Sequence, residues 1–500
     1  MIYNFNLGIG WASSGVEYAQ LYRARIFRSI KREAKFIFTD MFLRDNLEHL
    51  TKNIGLLDEE VIWLYSYFTD VKTAPVSFTL ADLEKTIGNE KYTFSRDGLI
   101  AKYVFEDAGS FYTVYMVDEK SDLVHRVEIV SKGCLIRKDY YTYCKVFSEY
   151  YAPLDNSAHL YGRRFFNEDG SLAFEEINDN DNVMYKFPDR VLGSKEELVA
   201  YMVQSLHLTE HDIVIIDRTS DIGQPILQNV KPAKVGIIVH ADHFSEGSAP
   251  DGYMLWNNYY EYPFAQVDNI DFYVTATDAQ NDLMMEQFEK YSRSLPCIYT
   301  IPVGSLASLK YPSESGRKPF SLVTASRLAS EKHVDWVVKA VVKAREALPE
   351  LSLDIYGKGG LEDDLRELIE KNDATSYIRL MGQQNLDEVY QKYEMYVAGS
   401  TSEGFGLSLL EAVGGGLPIV GFDVRYGNQT FIDNGKNGFL IPINEEMDES
   451  EKVNLLSESI IRVYKELDIE ECHRHSYDVA AKFLTKEVEG KWENLIEQMI

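Results

Sequence analysis

The sequence has no apolar run that approaches the ~20 residues needed for a membrane-spanning helix. Cysteine is scarce, and Cys134, Cys144, Cys297 and Cys472 show no paired spacing, so a disulfide framework is not expected. The first residues have the composition of a strand and not of a basic, apolar leader. These absences predict a cytoplasmic protein.

Basic residues are outnumbered, because 51 Lys and Arg face 79 Asp and Glu and give a net charge of −28. A surface of this sign repels nucleic acid and anionic membranes, although a local basic patch is compatible with it. The 500 residues exceed one ordinary hydrophobic core. We therefore expect two or three domains and no nucleic-acid partner.

Two glutamates eight residues apart, Glu403 and Glu411, bound the most informative segment, Glu-Gly-Phe-Gly-Leu-Ser-Leu-Leu-Glu. Residues 395–400 predict a buried strand and Leu407 begins a predicted helix, so the first glutamate follows the carboxyl end of a strand, where open α/β sheets bind ligands. The glycines of the bend bring N–H groups and the positive helix end to the same place, which suits sugar hydroxyls. Taken alone, the spacing fits a surface-loop glutamate followed by a helix-face glutamate better.

A pair of cations follows an upstream strand. Residues 320–325 predict a buried strand, Arg327 follows its end, and Lys332 lies in the first turn of a helix that Ser330 is expected to cap. A guanidinium and an ammonium at one sheet edge can stabilise the charge that a nucleotide diphosphate gains as it leaves a sugar. Solvated charges at a helix start are the alternative interpretation.

In combination, these carboxylates and cations resemble those of the retaining glycosyltransferases of family 4. That family has the GT-B fold, an α/β architecture in which two Rossmann-like domains face a cleft. The catalytic residues implied by the resemblance are Glu403, Arg327, Lys332 and His240. The implied donor-binding residues are Gly15, Val16, Gly357, Gly382, Gly404, Phe405, Gly406, Leu407 and Glu411.

The resemblance also implies a role for each group. Glu403 orients the donor sugar, Glu411 holds the ribose, and Arg327 and Lys332 stabilise the departing diphosphate. The acceptor attacks from the face that the leaving group departs from, so no protein nucleophile is required. Neither a metal ion nor a cofactor is expected, because the cations replace the metal.

The amino terminus would supply the other wall of the cleft. Residues 2–7 predict a strand and residues 8–15 a loop rich in glycine and serine, before a helix that starts at Val16. A dinucleotide fingerprint would need glycine at Ser13 and a Walker loop would need lysine at Val16, so neither template fits. The loop resembles the donor-phosphate loop of GT-B enzymes, and a flexible turn is the alternative.

His240 follows residues 235–239, which predict a buried parallel strand. The family resemblance implies a position beside the donor sugar. Asp242 and His243 are also metal-ligand types, but no fourth ligand is indicated and the spacing matches no zinc pattern. A metal site is therefore the weaker interpretation.

Residues 75–187 interrupt the alternation of helices and strands. Short segments of alternating polarity predict an antiparallel meander inserted into the first α/β domain, for partner or acceptor binding. The predicted strands are residues 92–95, 99–105, 111–117, 123–130, 134–138, 141–151, 159–166 and 172–176. The expected domains are residues 1–74 with 188–305 for the acceptor, residues 306–479 for the nucleotide sugar, and a last helix, 480–500, that returns to the first domain.

The insert and residues 6–19 are similar to those of the catalytic subunits of bacterial accessory-Sec glycosyltransferase pairs. This resemblance implies transfer of N-acetylglucosamine from UDP-GlcNAc to Ser/Thr of serine-rich repeat adhesins, the first step of their O-glycosylation. It also implies a homologous, non-catalytic partner subunit, through which the protein could associate peripherally with the inner face of the cell membrane. Two alternatives stay open: a teichoic-acid glucosyltransferase that uses UDP-glucose, and a non-catalytic subunit that binds acceptors.

Overall fold

The computed structural model describes residues 1–9, 15–179, 182–245, 254–314, 316–444 and 446–500. Within these ranges the chain forms two parallel sheets, of seven and six strands, and one antiparallel sheet of ten strands. No helix in this described part of the chain is both long and apolar enough to cross a membrane.

The chain begins with one half of the first parallel sheet. This half comprises β1 (Ile2–Asn6), β2 (Ala34–Phe38) and β3 (Val61–Trp63), connected by α1 (Gly15–Ser29) and α2 (Leu47–Ile54). β1 pairs in parallel with β2, and β2 pairs in parallel with β3. The apolar residues of these strands are buried, as expected for a sheet that is covered on both faces.

An antiparallel meander follows, and the structure confirms this part of the predicted fold. Its strands are β4 (Thr93–Asp97), β5 (Ile100–Phe105), β6 (Ser110–Met116), β7 (Val124–Ser131), β8 (Cys134–Tyr141), β9 (Lys145–Leu154), β10 (Ser157–Phe166), β11 (Leu172–Asp179), β12 (Asn182–Lys186) and β13 (Val191–Leu192). Each strand pairs with the next along the chain. The last two strands were not predicted, so the sheet continues past residue 187.

A helix, α3 (Leu80–Ile87), occupies residues that the sequence assigned to the start of the meander. Thr79 and Asp82 cap it reciprocally, because each side chain accepts a hydrogen bond from the backbone N–H of the other residue. Leu83 and Ile87 are one turn apart and are both buried. The capping box and this four-residue spacing are visible in the sequence, and they favour a helix over a strand.

The insert is held by two hydrophobic cores. Helix α3 and strands β5 to β8 share a small core of their own. The later strands share the core of the first parallel sheet, where Phe165 stacks on Phe174 at 4.4 Å between ring centroids and on Tyr65 at 5.3 Å. Because Tyr65 follows β3, this half of the insert is joined to the first sheet by aromatic packing.

The first parallel sheet is completed after the insert by β14 (Ile213–Ile216), β15 (Lys234–Val239), β16 (Phe272–Thr275) and β17 (Ile298–Thr300). The accompanying helices are α4 (Lys195–Ser205), α5 (Gly223–Asn229), α6 (Glu261–Ala265) and α7 (Asp278–Tyr291). The strand order is β17-β16-β15-β14-β1-β2-β3. The strands β2 and β3 are therefore added on one side of β1 and the strands from β14 onward on the other, so the order of strand addition reverses between β14 and β1. Such a reversal opens a crevice at the carboxyl ends of these strands.

The second parallel sheet has the order β20-β19-β18-β21-β22-β23 and reverses between β18 and β21. Its strands are, in chain order, β18 (Ser321–Ala325), β19 (Ser352–Tyr356), β20 (Ile378–Gly382), β21 (Met395–Ala398), β22 (Ile419–Phe422) and β23 (Gly438–Ile441). Its helices are α8 (Val334–Ala344), α9 (Glu362–Lys371), α10 (Leu407–Gly414), α11 (Gly427–Phe431), α12 (Glu449–Glu466) and α13 (Ile469–Ala481).

The chain passes between the two parallel sheets twice, and the two crossings are paired. Leu306 donates its N–H to the carbonyl oxygen of Phe483 and accepts from the N–H of Thr485, both at 2.9 Å. Helix α14 (Thr485–Met499) then packs on α1, with the ring of Trp492 edge-on to Phe27 at 5.3 Å. The last helix, predicted for residues 480–500, begins only at Thr485, because residues 480 and 481 are the end of α13.

Candidate active site between the two parallel sheets

Glu403 and Lys332, predicted as separate contacts of sugar and phosphate, form an ion pair. Lys332 Nζ donates to Glu403 Oε2 at 2.6 Å, and the side chains are only 16% and 18% exposed. Lys332 ends a 3₁₀ turn before α8, and the predicted cap by Ser330 is absent. The pair joins the loops after β18 and β21, the two strands at the reversal of the second sheet. This is the edge at which ligands bind in open α/β sheets.

The loop after β22 fixes the backbone of Glu403. The N–H of Glu403 donates to the carbonyl oxygen of Arg425 at 3.0 Å, while its own carbonyl oxygen accepts from the N–H groups of Tyr426 and Gly427 at 2.6 and 2.7 Å. Glu403 and Tyr426 thus form an isolated parallel β-bridge between the two loops. The carboxylate is consequently carried by a rigid backbone and not by a free loop.

The glycine bend that follows Glu403 starts helix α10. Gly406 has a φ of 82°, a conformation that favours glycine, and it directly precedes Leu407, the first residue of the helix. The ring of Phe405 is buried against Phe431 and Phe483, so only its backbone can reach a ligand. The start of α10 next to Glu403 has no side-chain cap, so its first N–H groups lack intrahelical partners, and their contact with a ligand stays a prediction.

Arg327 lies on the same edge but apart from the ion pair. Its side chain is 77% exposed and pairs with Glu331 at 3.0 Å, one turn along the chain. It lines a cavity of about 290 Å³ together with Gly357, Leu386 and Ser408. The structure therefore brings Arg327 to the loop after β19, and not into contact with Glu403.

The loops after β18, β19 and β20 are stacked backbone on backbone. Gly357 has a φ of 131°, and a Cβ at this position would overlap the carbonyl oxygen of Ser326, so a side chain cannot be accommodated. The N–H of Gly357 donates to the carbonyl oxygen of Gly382 at 3.0 Å. This close packing places both predicted glycines beside the cavity that Arg327 lines.

Glu411 lies in a second cavity, of about 420 Å³, between α1 and the second sheet. Tyr22 and Arg25 of α1 line it from one side, and Leu386, which also lines the smaller cavity, lies on the other. The phenol of Tyr390 donates to Glu411 Oε2 at 3.1 Å. Burial raises the pKa of Glu411 to about 7, so this carboxyl exchanges its proton near neutral pH.

The first parallel sheet supplies the opposite wall. A Cβ built on Gly404 would lie 3.2 Å from the carbonyl oxygen of His240, which follows β15. His243 Nδ1 and the hydroxyl of Tyr426 are 3.2 Å apart, which adds a second contact between the two sheets. His240 is thus close to the glycine bend, and its position beside a donor sugar stays a prediction.

The predicted phosphate loop can be followed only in part. Gly15 and Val16 are the first residues of α1, at the carboxyl edge of β1. The other predicted loop residues from Gly10 to Ser14 lie outside the described residues. The helix start is therefore on the expected edge of the first sheet.

The alternative metal ligands do not converge. His240 contacts Asp217, His243 Nε2 contacts Gln287 at 2.8 Å, and Asp242 lies 3.8 Å from Arg425. Burial lowers the pKa of His243 to about 4, which keeps its imidazole neutral. No group of three or more His, Cys, Asp or Glu residues suited to a metal ion is present in the ranges that the structure describes.

The sequence analysis missed Asp217, the partner of His240. Asp217 Oδ1 accepts from His240 Nε2 at 2.8 Å, and the carboxylate is completely buried. Asp217 directly follows the apolar strand β14, as His240 follows β15. A polar residue at the end of each of two buried strands was the available signal, because parallel strands end at the same sheet edge.

Comparison with known proteins agrees with this architecture. Residues 93–189 match the GtfA extended beta-sheet domain, and residues 310–466 match the Glycosyl transferases group 1 family. The chain is 52% identical over 499 residues to the UDP-N-acetylglucosamine–peptide N-acetylglucosaminyltransferase GtfA subunit of Streptococcus gordonii, covering 100% of this chain and 98% of the relative.

Two crystal structures are similar over the whole chain. One is of a GtfA/B complex, with a TM-score of 0.97, 51% identity, and coverage of 100% of this chain and 99% of that chain. The other is of the pneumococcal O-GlcNAc transferase GtfA in complex with UDP and GlcNAc, with a TM-score of 0.90, 49% identity, and coverage of 100% and 98%. The chain has the GT-B fold and belongs to the family of GtfA subunits of UDP-N-acetylglucosamine–peptide N-acetylglucosaminyltransferases.

Proposed function

We propose that this protein transfers N-acetylglucosamine from UDP-GlcNAc to Ser and Thr hydroxyls of a serine-rich protein acceptor, with retention of configuration and without a metal ion. The observation that carries this proposal is the contact between Lys332 and Glu403. It places an ammonium and a carboxylate side by side in the cleft, where the diphosphate and the sugar of one donor molecule would also be adjacent. The relationship to GtfA subunits supplies the donor and the acceptor class.

The proposed roles follow from charge and position. Lys332 and Arg327 stabilise the negative charge that develops on the diphosphate as its bond to the sugar breaks. Glu403 accepts hydrogen bonds from sugar hydroxyls, and the N–H groups of the adjacent bend donate to the sugar or phosphate. Glu411 accepts from the ribose. The donor phosphate assists removal of the acceptor proton, so no side chain acts as a nucleophile.

The ion pair has a consequence for donor binding. In the unliganded protein each member compensates the charge of the other in a poorly solvated place, which avoids an unpaired buried charge. A diphosphate beside Lys332 would share this cation with Glu403. The carboxylate then has lone pairs available for sugar hydroxyls, so phosphate contact and sugar contact are coupled through one hydrogen bond.

We also propose that residues 1–74 and 188–305 form the acceptor domain, that residues 306–479 bind the nucleotide sugar, and that the protein works in the cytoplasm. The insert would bind a homologous, non-catalytic subunit, because a close structural relative is a GtfA/B complex. β4 is an edge strand, and Phe94, Leu99 and Ile100 beside it are exposed apolar residues. An unpaired edge with apolar side chains is suited to a protein interface.

The test is a competition between donors. The protein and its partner subunit are incubated with a serine-rich acceptor and equal amounts of UDP-GlcNAc and UDP-glucose, and the acceptor is analysed by mass spectrometry. We expect additions of N-acetylhexosamine that disappear in Glu403→Gln and persist in Glu458→Gln, an exposed glutamate of α12. Additions of hexose would favour the glucosyltransferase alternative, and no UDP release from either donor would favour a binding subunit.

A further inference from the structure

A buried carboxylate without a role in the proposed mechanism lies at the reversal point of the first sheet. Asp217 follows β14, whose neighbours in the sheet are β1 and β15. Both of its oxygens accept hydrogen bonds from side chains. Oδ1 accepts from His240, and Oδ2 accepts from Gln20 Nε2 at 2.8 Å and from the guanidinium of Arg23. The carboxylate therefore cannot rotate without losing a hydrogen bond.

The groups behind Asp217 are fixed in turn. Gln20 Oε1 accepts from Asn6 Nδ2 at 3.1 Å, and both of these side chains are completely buried, one on α1 and the other at the end of β1. Arg23 is covered by Trp492 of α14, with its guanidinium 5.8 Å from the ring centroid. The carboxylate is thus held between α1 and the residue that follows β15, and it has no contact with solvent.

The ionisation of Asp217 determines the protonation of its partner. Burial alone would raise the pKa of Asp217, but Arg23 and the hydrogen bond from His240 lower it to about 2. An ionised carboxylate only accepts hydrogen bonds, so His240 Nε2 must carry a proton. In the neutral imidazole the other nitrogen, Nδ1, is then an acceptor.

The backbone of His240 is held as well. The N–H groups of His240 and Ala241 both donate to the hydroxyl of Tyr260, at 2.9 and 3.1 Å. Within the described ranges, Nδ1 of His240 has no hydrogen-bond partner from the protein. Arg218, which is paired with Glu17, is a further charged group beside Tyr260. The surroundings thus fix one edge of the ring and leave the other edge for a ligand.

We propose that Asp217 is a positioning residue for glycosyl transfer: it holds the ring of His240 in one orientation and one tautomer, so that Nδ1 accepts a hydrogen bond from a hydroxyl of the donor sugar. This inference rests on the proposed function, because it requires the sugar to lie beside His240. Gln20 and Arg23 serve the same purpose indirectly, since they fix the carboxylate.

The first test is the tautomer itself. Nitrogen-15 NMR of the histidine-labelled full chain distinguishes a protonated Nε2 from a protonated Nδ1. We expect protonated Nε2 in the native protein, assigned by loss of the signal in His240→Gln. A native His240 protonated on Nδ1 would overturn the proposal, and this measurement does not require any Asp217 variant to fold.

The second test is the Asp217→Asn substitution, which keeps the shape but lets the amide donate to Nε2 and so favours the other tautomer. We expect kcat for transfer to fall about 10- to 100-fold, the effect of one lost hydrogen bond in the reacting complex. UDP affinity should stay within about twofold of the native value, because UDP has no donor sugar. The matched control is Asp271→Asn, a partly buried carboxylate at the opposite edge of the same sheet, paired with Lys234.

The outcomes separate this inference from the proposed function. Normal kcat in a folded Asp217→Asn variant, while the native protein transfers N-acetylglucosamine, would overturn the positioning role and leave the proposed function intact. An equal loss of kcat in Asp217→Asn and Asp271→Asn would indicate a purely structural effect and would also overturn it. Absence of any sugar transfer by the native protein would contradict the proposed function instead.

Discussion

The protonation of Glu411 should control nucleotide binding near neutral pH, and Glu411→Gln removes this control. The carboxyl is half-buried on α10, it accepts one hydrogen bond, from Tyr390, and its pKa is raised from 4.5 to about 7 by burial. At about 1.4 kcal/mol per pKa unit, this difference corresponds to about 3 kcal/mol between the two protonation states. The ionised form is therefore costly in the empty site.

The sign of the effect on stability follows from linkage. Because the folded protein holds the proton more tightly than the unfolded chain, the unliganded protein loses stability as pH rises from about 4.5 through about 7. Glu411→Gln does not titrate, so its thermal midpoint should rise relative to the native protein over this window. Thermal unfolding at pH 5, 6, 7 and 8 measures this difference.

UDP binding should show the opposite dependence. If the ionised carboxylate accepts a hydrogen bond from the ribose, UDP should bind the native protein about tenfold more weakly at pH 6 than at high pH. The reason is that about 90% of the Glu411 carboxyl is protonated at pH 6. At pH 8, Glu411→Gln should bind UDP more weakly by about 1.5–3 kcal/mol, the contribution of one hydrogen bond to a charged group. The titration of UDP itself is common to both proteins, so the ratio of their affinities isolates Glu411.

Calorimetric titration with UDP at several pH values is the assay, and two neighbours provide graded controls. Asp387 raises the pKa of Glu411 and Tyr390 lowers it, so Asp387→Asn should shift the midpoint to lower pH and Tyr390→Phe to higher pH. An identical pH dependence in the native protein and in Glu411→Gln would refute this reasoning. Equal affinities of the two proteins for UDP at pH 8 would refute the ribose contact.

The remaining predictions concern the cation pair, the sugar carboxylate, the metal and the insert. Arg327→Ala and Lys332→Ala should each lower kcat about 10²–10³-fold, the effect of one lost preorganised hydrogen-bond donor. Arg366→Ala should do far less, although it removes an exposed ion pair between residues four apart, as Arg327→Ala does. Near-normal turnover in Lys332→Ala would contradict the proposed site. Glu403→Gln should lower kcat without weakening UDP binding, because Lys332 then lacks its competing carboxylate; a loss of UDP affinity equal to that of Glu411→Gln would show that the two glutamates do not have separate roles. Activity should survive chelation by EDTA, and an absolute requirement for magnesium or manganese would instead reopen a metal site. In the insert, serine in place of the exposed Phe94, Leu99 and Ile100 should abolish partner binding and protein glycosylation while UDP binding persists, because these changes leave the core that the later strands share with the first sheet intact. A folded variant that still binds the partner subunit would assign this edge another purpose.

The choice of Arg366 as a control depends on the structure. From sequence alone, Arg379 is an equally suitable cation outside the motif, but its guanidinium makes two hydrogen bonds to Asp354, at 2.7 and 2.6 Å. Asp354 also accepts from Tyr393, so this cluster supports β19 and β20 just before Gly357 and Gly382. Substitution of Arg379 would therefore disturb the loops at Gly357 and Gly382, which are proposed to contact the donor.

The local pattern of the sequence predicted much of the fold. Strands such as β14 and β21 consist of uninterrupted apolar residues, and the meander shows alternating burial, so both types of sheet could be inferred from periodicity. The contact of Lys332 with Glu403 could not, because it joins residues 71 positions apart through the order of strands in the sheet. The same reason hid Asp217, whose importance depends on β14 and β15 being neighbours.

The two hydrogen bonds that tie Leu306 to the segment between α13 and α14 bear on how the cleft opens. A single crossing would act as a swivel, free to bend and twist about its own bonds. Two hydrogen-bonded crossings form a hinge with one axis. The two domains can rotate about the line through the crossings at little cost, whereas a twist of one domain against the other must break backbone hydrogen bonds. Donor entry is therefore expected as a one-axis swing that returns His240 and Gly404 to the same alignment at each closure.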